Sequence, residues 1–171
     1  MQIELKELGM LIDKLALLRR VSMGRIFQSQ GLHFGQLRLL EFIIANDGCT
    51  QVEVADYMGV SPASVALSTK RLSKAGMIEK RTDKNNLRRN ILKITPKGLE
   101  VTQNCRKEFD LYDKRLFAEL SDEESVLLFD MLGRLLEVAC EGKELDMRAL
   151  IKDMREMRNK HGKQGSDIKN D

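Results

Sequence analysis

Thr50-Gln-Val-Glu-Val-Ala-Asp-Tyr-Met-Gly-Val-Ser-Pro-Ala-Ser-Val-Ala-Leu-Ser-Thr-Lys-Arg-Leu-Ser-Lys-Ala-Gly-Met-Ile-Glu-Lys-Arg81 reads as a helix, a tight turn, a second helix and the first strand of a hairpin. Thr50 opens a capping box with Glu53, whose carboxylate can return a hydrogen bond to the cap's own amide. Val52, Val54, Ala55 and Met58 then give a short helix its inward side, and Gly59 ends it, because glycine takes positive φ at little cost. Ser61 followed by Pro62 starts a new helix: a hydroxyl cap, then a ring whose φ suits the first helical position. Two short helices joined this tightly must cross steeply, which is the helix-turn-helix arrangement.

In the second helix Val65, Thr69 and Leu72 fall on one side at helical spacing, with Ser68 beside them, and predict the inward face. Opposite lie Ala63, Leu67, Lys70, Arg71 and Lys74, with Ser64 at the flank. Lysines are common on any solvated helix, so these cations alone decide little. Three features add weight: the outward face carries no carboxylate, the helix follows a tight turn, and Gly76 leads straight into a basic hairpin. That hairpin is read as Ile78–Thr82, a tip from Asp83 to Arg88, and a return strand in which Arg89, Ile91 and Lys93 alternate with Asn90, Leu92 and Ile94.

Between Ser61 and Glu100 ten Lys/Arg stand against three acids, a local +7 in a chain whose total is +3. A basic field confined to one helix and the adjoining ribbon is the electrostatic footprint of a double-stranded DNA reader. Ser64 and Arg71 are placed for base edges and Leu67 for a thymine methyl group. Lys70, Lys74 and the cap region around Ser61 suit phosphates, and Ala63 and Ser68 complete the set on that helix. On the ribbon, Arg81, Lys84 and Arg88 would reach a neighbouring minor groove or its flanking phosphates.

Gly76-Met-Ile-Glu-Lys-Arg81 and Ile94-Thr-Pro-Lys-Gly98, at this spacing, resemble the MarR family of winged-helix transcriptional regulators, and the resemblance covers roughly Leu5 to Cys140. It implies a mainly α fold with a small β-wing, a winged helix-turn-helix, and a dimer formed through the N- and C-terminal helices. Residues 1–141 would then be one domain, with 1–30 and 96–141 as dimerisation helices and 31–95 as the DNA-binding lobe. Residues 142–171 would form a basic C-terminal helical extension with a frayed end. The resemblance further implies a DNA-binding transcription regulator, expected to be a repressor, and a small aromatic or anionic effector held between the dimer helices and the DNA-binding lobe. His33 and Arg38, beside the first helix, are the candidate effector contacts. The chain departs from the family at one point. The wing usually carries Asp-x-Arg seven residues before the Thr of the second motif; Arg88 keeps the arginine, but Asn86 occupies the acidic position, leaving Asp83 as a substitute partner.

Outside this stretch the chain reads as helices. Gln2–Phe27 carries an apolar stripe through Ile3, Leu8, Leu11, Ile12, Leu15, Leu18 and Met23, broadened by Leu5 and Leu17. His33–Asn46 follows, with Leu37, Leu40, Phe42, Ile43 and Ile44, and ends at Asp47-Gly48. Thr95-Pro96 opens a helix running to about Leu120, and Ser121 with Glu124 caps another that is apolar around most of its circumference. Such helices need partners on more than one side, so the expectation is a homodimer and hence a pseudo-palindromic operator. In the extension Arg148, Lys152, Arg155, Arg158 and Lys160 interleave with acids, which favours a solvated segment over a phosphate-gripping arm.

The remaining features narrow the function class. A chain of 171 residues is one domain's worth. It lacks an apolar run of membrane length and a secretory start, so the expected setting is cytoplasmic with no membrane partner. Cys49, Cys105 and Cys140 show no Cys-x-x-Cys spacing and stand far from His33 and His161, so no metal or other cofactor is expected. Reduced thiols are the plain reading, with cysteine-based redox sensing on the same fold as an alternative. No phosphate-cradling glycine loop, nucleophile elbow or metal motif marks an enzyme. A winged helix used for protein docking is a further alternative, but it calls for an uncharged recognition face.

Overall fold

The computed structural model describes residues 3–82, 90–146, 149, 150 and 153. Among them the elements run α1 (Leu5–Ser29), α2 (Gln36–Ala45), α3 (Gln51–Met58), α4 (Pro62–Lys74), β1 (Ile78–Thr82), β2 (Asn90–Ile94), α5 (Pro96–Leu116) and α6 (Asp122–Ala139). The caps explain most of these boundaries. Thr50 Oγ1 accepts from the Glu53 amide at 3.3 Å while the Glu53 carboxylate accepts from the Thr50 amide at 2.6 Å, closing the capping box of α3. Gly59 takes φ 62° to end that helix, and the Ser61 hydroxyl accepts from the Ser64 amide at 3.2 Å to start α4 behind Pro62. Ser121 and Glu124 repeat the capping box at the start of α6.

The two strands form an antiparallel hairpin with Ile78 opposite Ile94 and Thr82 opposite Asn90. The far edge of β2 is not left bare. The Gly48 amide donates to the Leu92 carbonyl at 3.2 Å and the Leu92 amide to the Cys49 carbonyl at 2.7 Å, so the link between α2 and α3 covers it. One core sits inside this central lobe. Leu39, Leu40, Ile43, Val54, Val65, Leu72, Ile78 and Leu92 are all buried to 2 % exposure or less, each contributing about 2 kcal/mol of apolar transfer. Cys105 brings α5 into the same core. By contrast α1 and α6 contain no buried residue. Among the described residues no helix is long and apolar enough to cross a membrane.

Several expectations are corrected. Val52 does not face inward: it is 61 % exposed, while Val54 and Ala55 are buried and Met58 is partly so. At about 100° per residue Val52 stands nearly opposite Val54 on α3, so the two cannot share one face. The second helix starts at Gln36, not His33, because Gly35 holds φ 86° and breaks the helical path. Ile44 lies at the surface, and Leu39, Leu32 and Met77 join the core instead. The helix after Thr95-Pro96 ends at Leu116, short of Leu120. The first helix begins at Leu5 and reaches Ser29.

Candidate nucleic-acid interface

The two segments that carry the family resemblance dock on one another. The Thr95 hydroxyl accepts from the Gly98 amide at 3.0 Å, capping α5, and donates to the Gly76 carbonyl at 2.7 Å. Its amide donates to the Met77 carbonyl at 3.1 Å, and Lys97 Nζ donates to the Ala75 carbonyl at 2.8 Å, closing the C-terminal end of α4. A Cβ on Gly98 would lie 2.0 Å from the Met77 oxygen and 2.7 Å from Ile94 Cδ1, so only glycine lets α5 approach this closely. The helix α4 is therefore held at both ends: Ser61 holds one, and Thr95 and Lys97 hold the other.

Anchored so, α4 buries Val65, Thr69 and Leu72 and half-buries Ser68. Ala63, Ser64, Leu67, Lys70, Arg71 and Lys74 are exposed, and Leu67 is 52 % so. The outward face carries no acid, and Lys70, Arg71 and Lys74 form no ion pair or side-chain hydrogen bond among the described residues. Elsewhere the basic field is narrower than a count of residues suggests. Lys93 pairs with Asp47 at 2.6 Å, Arg81 pairs with Glu79 at 2.6 Å, and Lys97 is committed to Ala75. Lys80, exposed on β1, has no ion pair among the described residues and was not singled out by sequence reasoning, since only the fold separates it from its neighbour Arg81. Ser64 is drawn into the cap, its hydroxyl 2.9 Å from that of Ser61. Lys84 and Arg88, with Asp83 and Asn86, lie outside the described residues.

A second feature lies away from α4. A groove of about 510 Å³ opens between α1 and α5, lined among others by Arg19, Arg20, Phe27, Phe34, Arg106 and Phe109. Phe27 meets Phe34 and Phe109 edge to face at 6.0 and 5.5 Å, and the Arg20 guanidinium stands 5.3 Å from the Phe34 ring centre. Arg19 grips Asp113 through bonds of 2.8 and 2.9 Å, and Arg106 pairs with Glu41. His33 and Arg38 do not line this groove. The backbone amide of His33 donates to Gln36 Oε1 at 2.7 Å, and Arg38 lies over Tyr57, 5.5 Å from its ring centre, with Tyr57 stacked on Phe42.

Cys49 and Cys105 are poorly disposed to redox chemistry. Burial, aided by Glu53 and Asp47, pushes the Cys49 thiol from 9.0 up to about 11, and burial also raises Cys105. A thiol kept protonated is a weak nucleophile.

Comparison with known proteins places this geometry. The sequence profile of the MarR family matches residues 30–89, which span the α2–α4 core and the first strand. The HTH-type transcriptional regulator BilQ of Clostridium symbiosum (strain WAL-14163) is 30 % identical over 108 residues, covering 63 % of this chain and 75 % of that protein. The crystal structure of MarR superposes with a TM-score of 0.57 at 31 % identity, over 82 % of this chain and 93 % of that one. A MepR variant from S. aureus, bound to an oligodeoxyribonucleotide, shares the fold with a TM-score of 0.64 at 20 % identity, over 77 % and 96 % of the two chains. The chain thus belongs to the MarR family of winged-helix, DNA-binding transcriptional regulators.

Proposed function

We propose that the protein is a homodimeric, sequence-specific repressor that reads a pseudo-palindromic operator through α4. The observation that carries this reading is the exposed, acid-free face of α4, on which Lys70, Arg71 and Lys74 have no ion-pair partner among the described residues. Arg71 is suited to a bidentate contact with guanine and Leu67 to a thymine methyl group, while Ser64, Ala63 and Ser68 shape the surface around them. Lys70, Lys74 and the Ser61 cap grip phosphates, which positions the helix without specifying sequence. Lys80 adds a phosphate contact from the ribbon, and Arg81 contributes only after releasing Glu79. Lys84 and Arg88 serve the neighbouring minor groove.

Dimerisation runs through residues 1–30 and 96–141, whose apolar side chains on α1 and α6 are exposed in the single chain. The lobe at 31–95 contacts DNA in a cytoplasmic protein; most of the extension read at 142–171 lies outside the described residues. A twofold pair sets two copies of α4 roughly one DNA turn, about 34 Å, apart. The groove between α1 and α5 sets Arg20 beside Phe27, Phe34 and Phe109, while Arg19 and Arg106 are held by Asp113 and Glu41, and it suits a small aromatic anion that would release the operator. Selection of bound duplexes from a random pool tests the assignment. Enrichment of an inverted repeat supports it; recovery of unrelated sequences, or no retention of duplex in dilute buffer, contradicts it.

A further inference from the structure

Thr69 is completely buried, yet it is polar. A hydroxyl buried without partners is destabilising, so its bonds must be accounted for. Both are present. Thr69 Oγ1 donates to the Ala66 carbonyl at 3.1 Å and accepts from Gln51 Nε2 at 2.5 Å. Because the single hydroxyl hydrogen goes to Ala66, the Gln51 contact can only run from amide to hydroxyl.

The other buried residues of α3 and α4 are apolar, Val54 and Ala55 on one helix and Val65 and Leu72 on the other. Apolar packing is non-directional, and a few degrees of rotation of one helix on the other changes it little. A hydrogen bond between buried side chains is directional. Gln51 is also a fixed point, since it is the first residue of α3, directly behind the Thr50–Glu53 capping box. Thr69 in turn immediately precedes Lys70 and Arg71 on α4.

We propose that the Gln51–Thr69 hydrogen bond sets the rotation of α4, making both residues positioning residues for base reading although neither belongs to its outward face. This rests on the assignment of α4 as the reading helix. A recognition constellation tolerates about 0.5 Å or 10–20° of misplacement, so loss of this directional tie between α3 and α4 degrades sequence preference before it degrades general affinity. Phosphate contacts made by flexible lysines absorb such a rotation; a bidentate base contact does not.

The test uses the full chain with Thr69→Val, which keeps the shape and removes the hydroxyl, Thr69→Ser, which keeps the hydroxyl, and Gln51→Met, which keeps the length and removes the donor. Fluorescence anisotropy is recorded on a selected duplex, a scrambled duplex of equal length and single-base variants across the half-site. Thr69→Val and Gln51→Met are expected to lower the preference for the selected duplex by roughly tenfold or more, while affinity for the scrambled duplex stays within about twofold. The loss is spread over the half-site rather than confined to one base pair, and Thr69→Ser restores most of the preference. Preference retained in Gln51→Met, or selected and scrambled duplexes weakened equally, overturns the proposal, and Gln51→Met decides alone if Thr69→Val does not fold. A parent protein without any sequence preference, or one indifferent to Arg71→Ala, instead contradicts the assignment of α4 itself and removes the proposal with it.

Discussion

In the central lobe eight large side chains, from Leu39 to Leu92, are buried to 2 % exposure or less, whereas α1 and α6 hold no buried residue at all. Both regions use the same residue types. Leu11, Leu15 and Leu18 on α1 and Leu127, Phe129 and Leu135 on α6 remain 47–81 % exposed. The lobe closes its core within one chain, through caps, a covered strand edge and the Thr95–Gly76 lock. The terminal helices do not, and an apolar surface of this extent marks an interaction site. The contrast separates two kinds of stability: one belonging to the chain, the other supporting our reading of a twofold pair.

The largest way to break the lobe is to fill the close approach at Gly98. Gly98→Ala places a methyl group 2.0 Å from a backbone oxygen, and we expect a loss of about 3 kcal/mol or more in denaturant unfolding. The terminal helices are sharpened by Leu132→Glu combined with Leu135→Glu. The parent's Tm should rise with protein concentration and that of the variant should not, with the variant sedimenting at the mass of one chain. On the reading face, Arg71→Ala should cost about 1–3 kcal/mol on the selected duplex and relax one operator position. Lys74→Ala should weaken all duplexes alike and reduce the slope of log affinity against log salt by about 1. The smallest effect lies in the lobe core. The Cys49 thiol stays protonated in the fold up to about pH 11 but ionises near 9.0 when unfolded. Its contribution is complete below pH 9 and falls away as pH rises toward 11, by about 1 kcal/mol at pH 10. Cys49→Ala should flatten that part of the stability curve.

What could be read from sequence follows the range of each interaction. Thr50 with Glu53, Ser61 with Pro62 and Ser121 with Glu124 satisfy their caps within four residues, so their helices could be placed from local chemistry alone. The inward face of α4 was equally legible, because Val65, Thr69 and Leu72 span two turns. Val52 misled because α3 is only eight residues long, too short for periodicity to reject one apolar position. Gln51 with Thr69, Lys97 with Ala75, and Gly98 against Met77 join residues 18 to 22 positions apart, and no local pattern announces them. The groove is harder still. It depends on Arg19 meeting Asp113 across 94 positions, and no local pattern announces a pairing at that range.

The most direct test is the affinity for a duplex carrying the two selected half-sites, measured before and after inserting half a helical turn between them. A rigid pair of α4 helices predicts that the insertion, about 5 base pairs, lowers affinity to that of a single half-site, because the second helix then faces the wrong side of the duplex. Unchanged affinity would mean that each chain reads DNA alone, and would contradict the account.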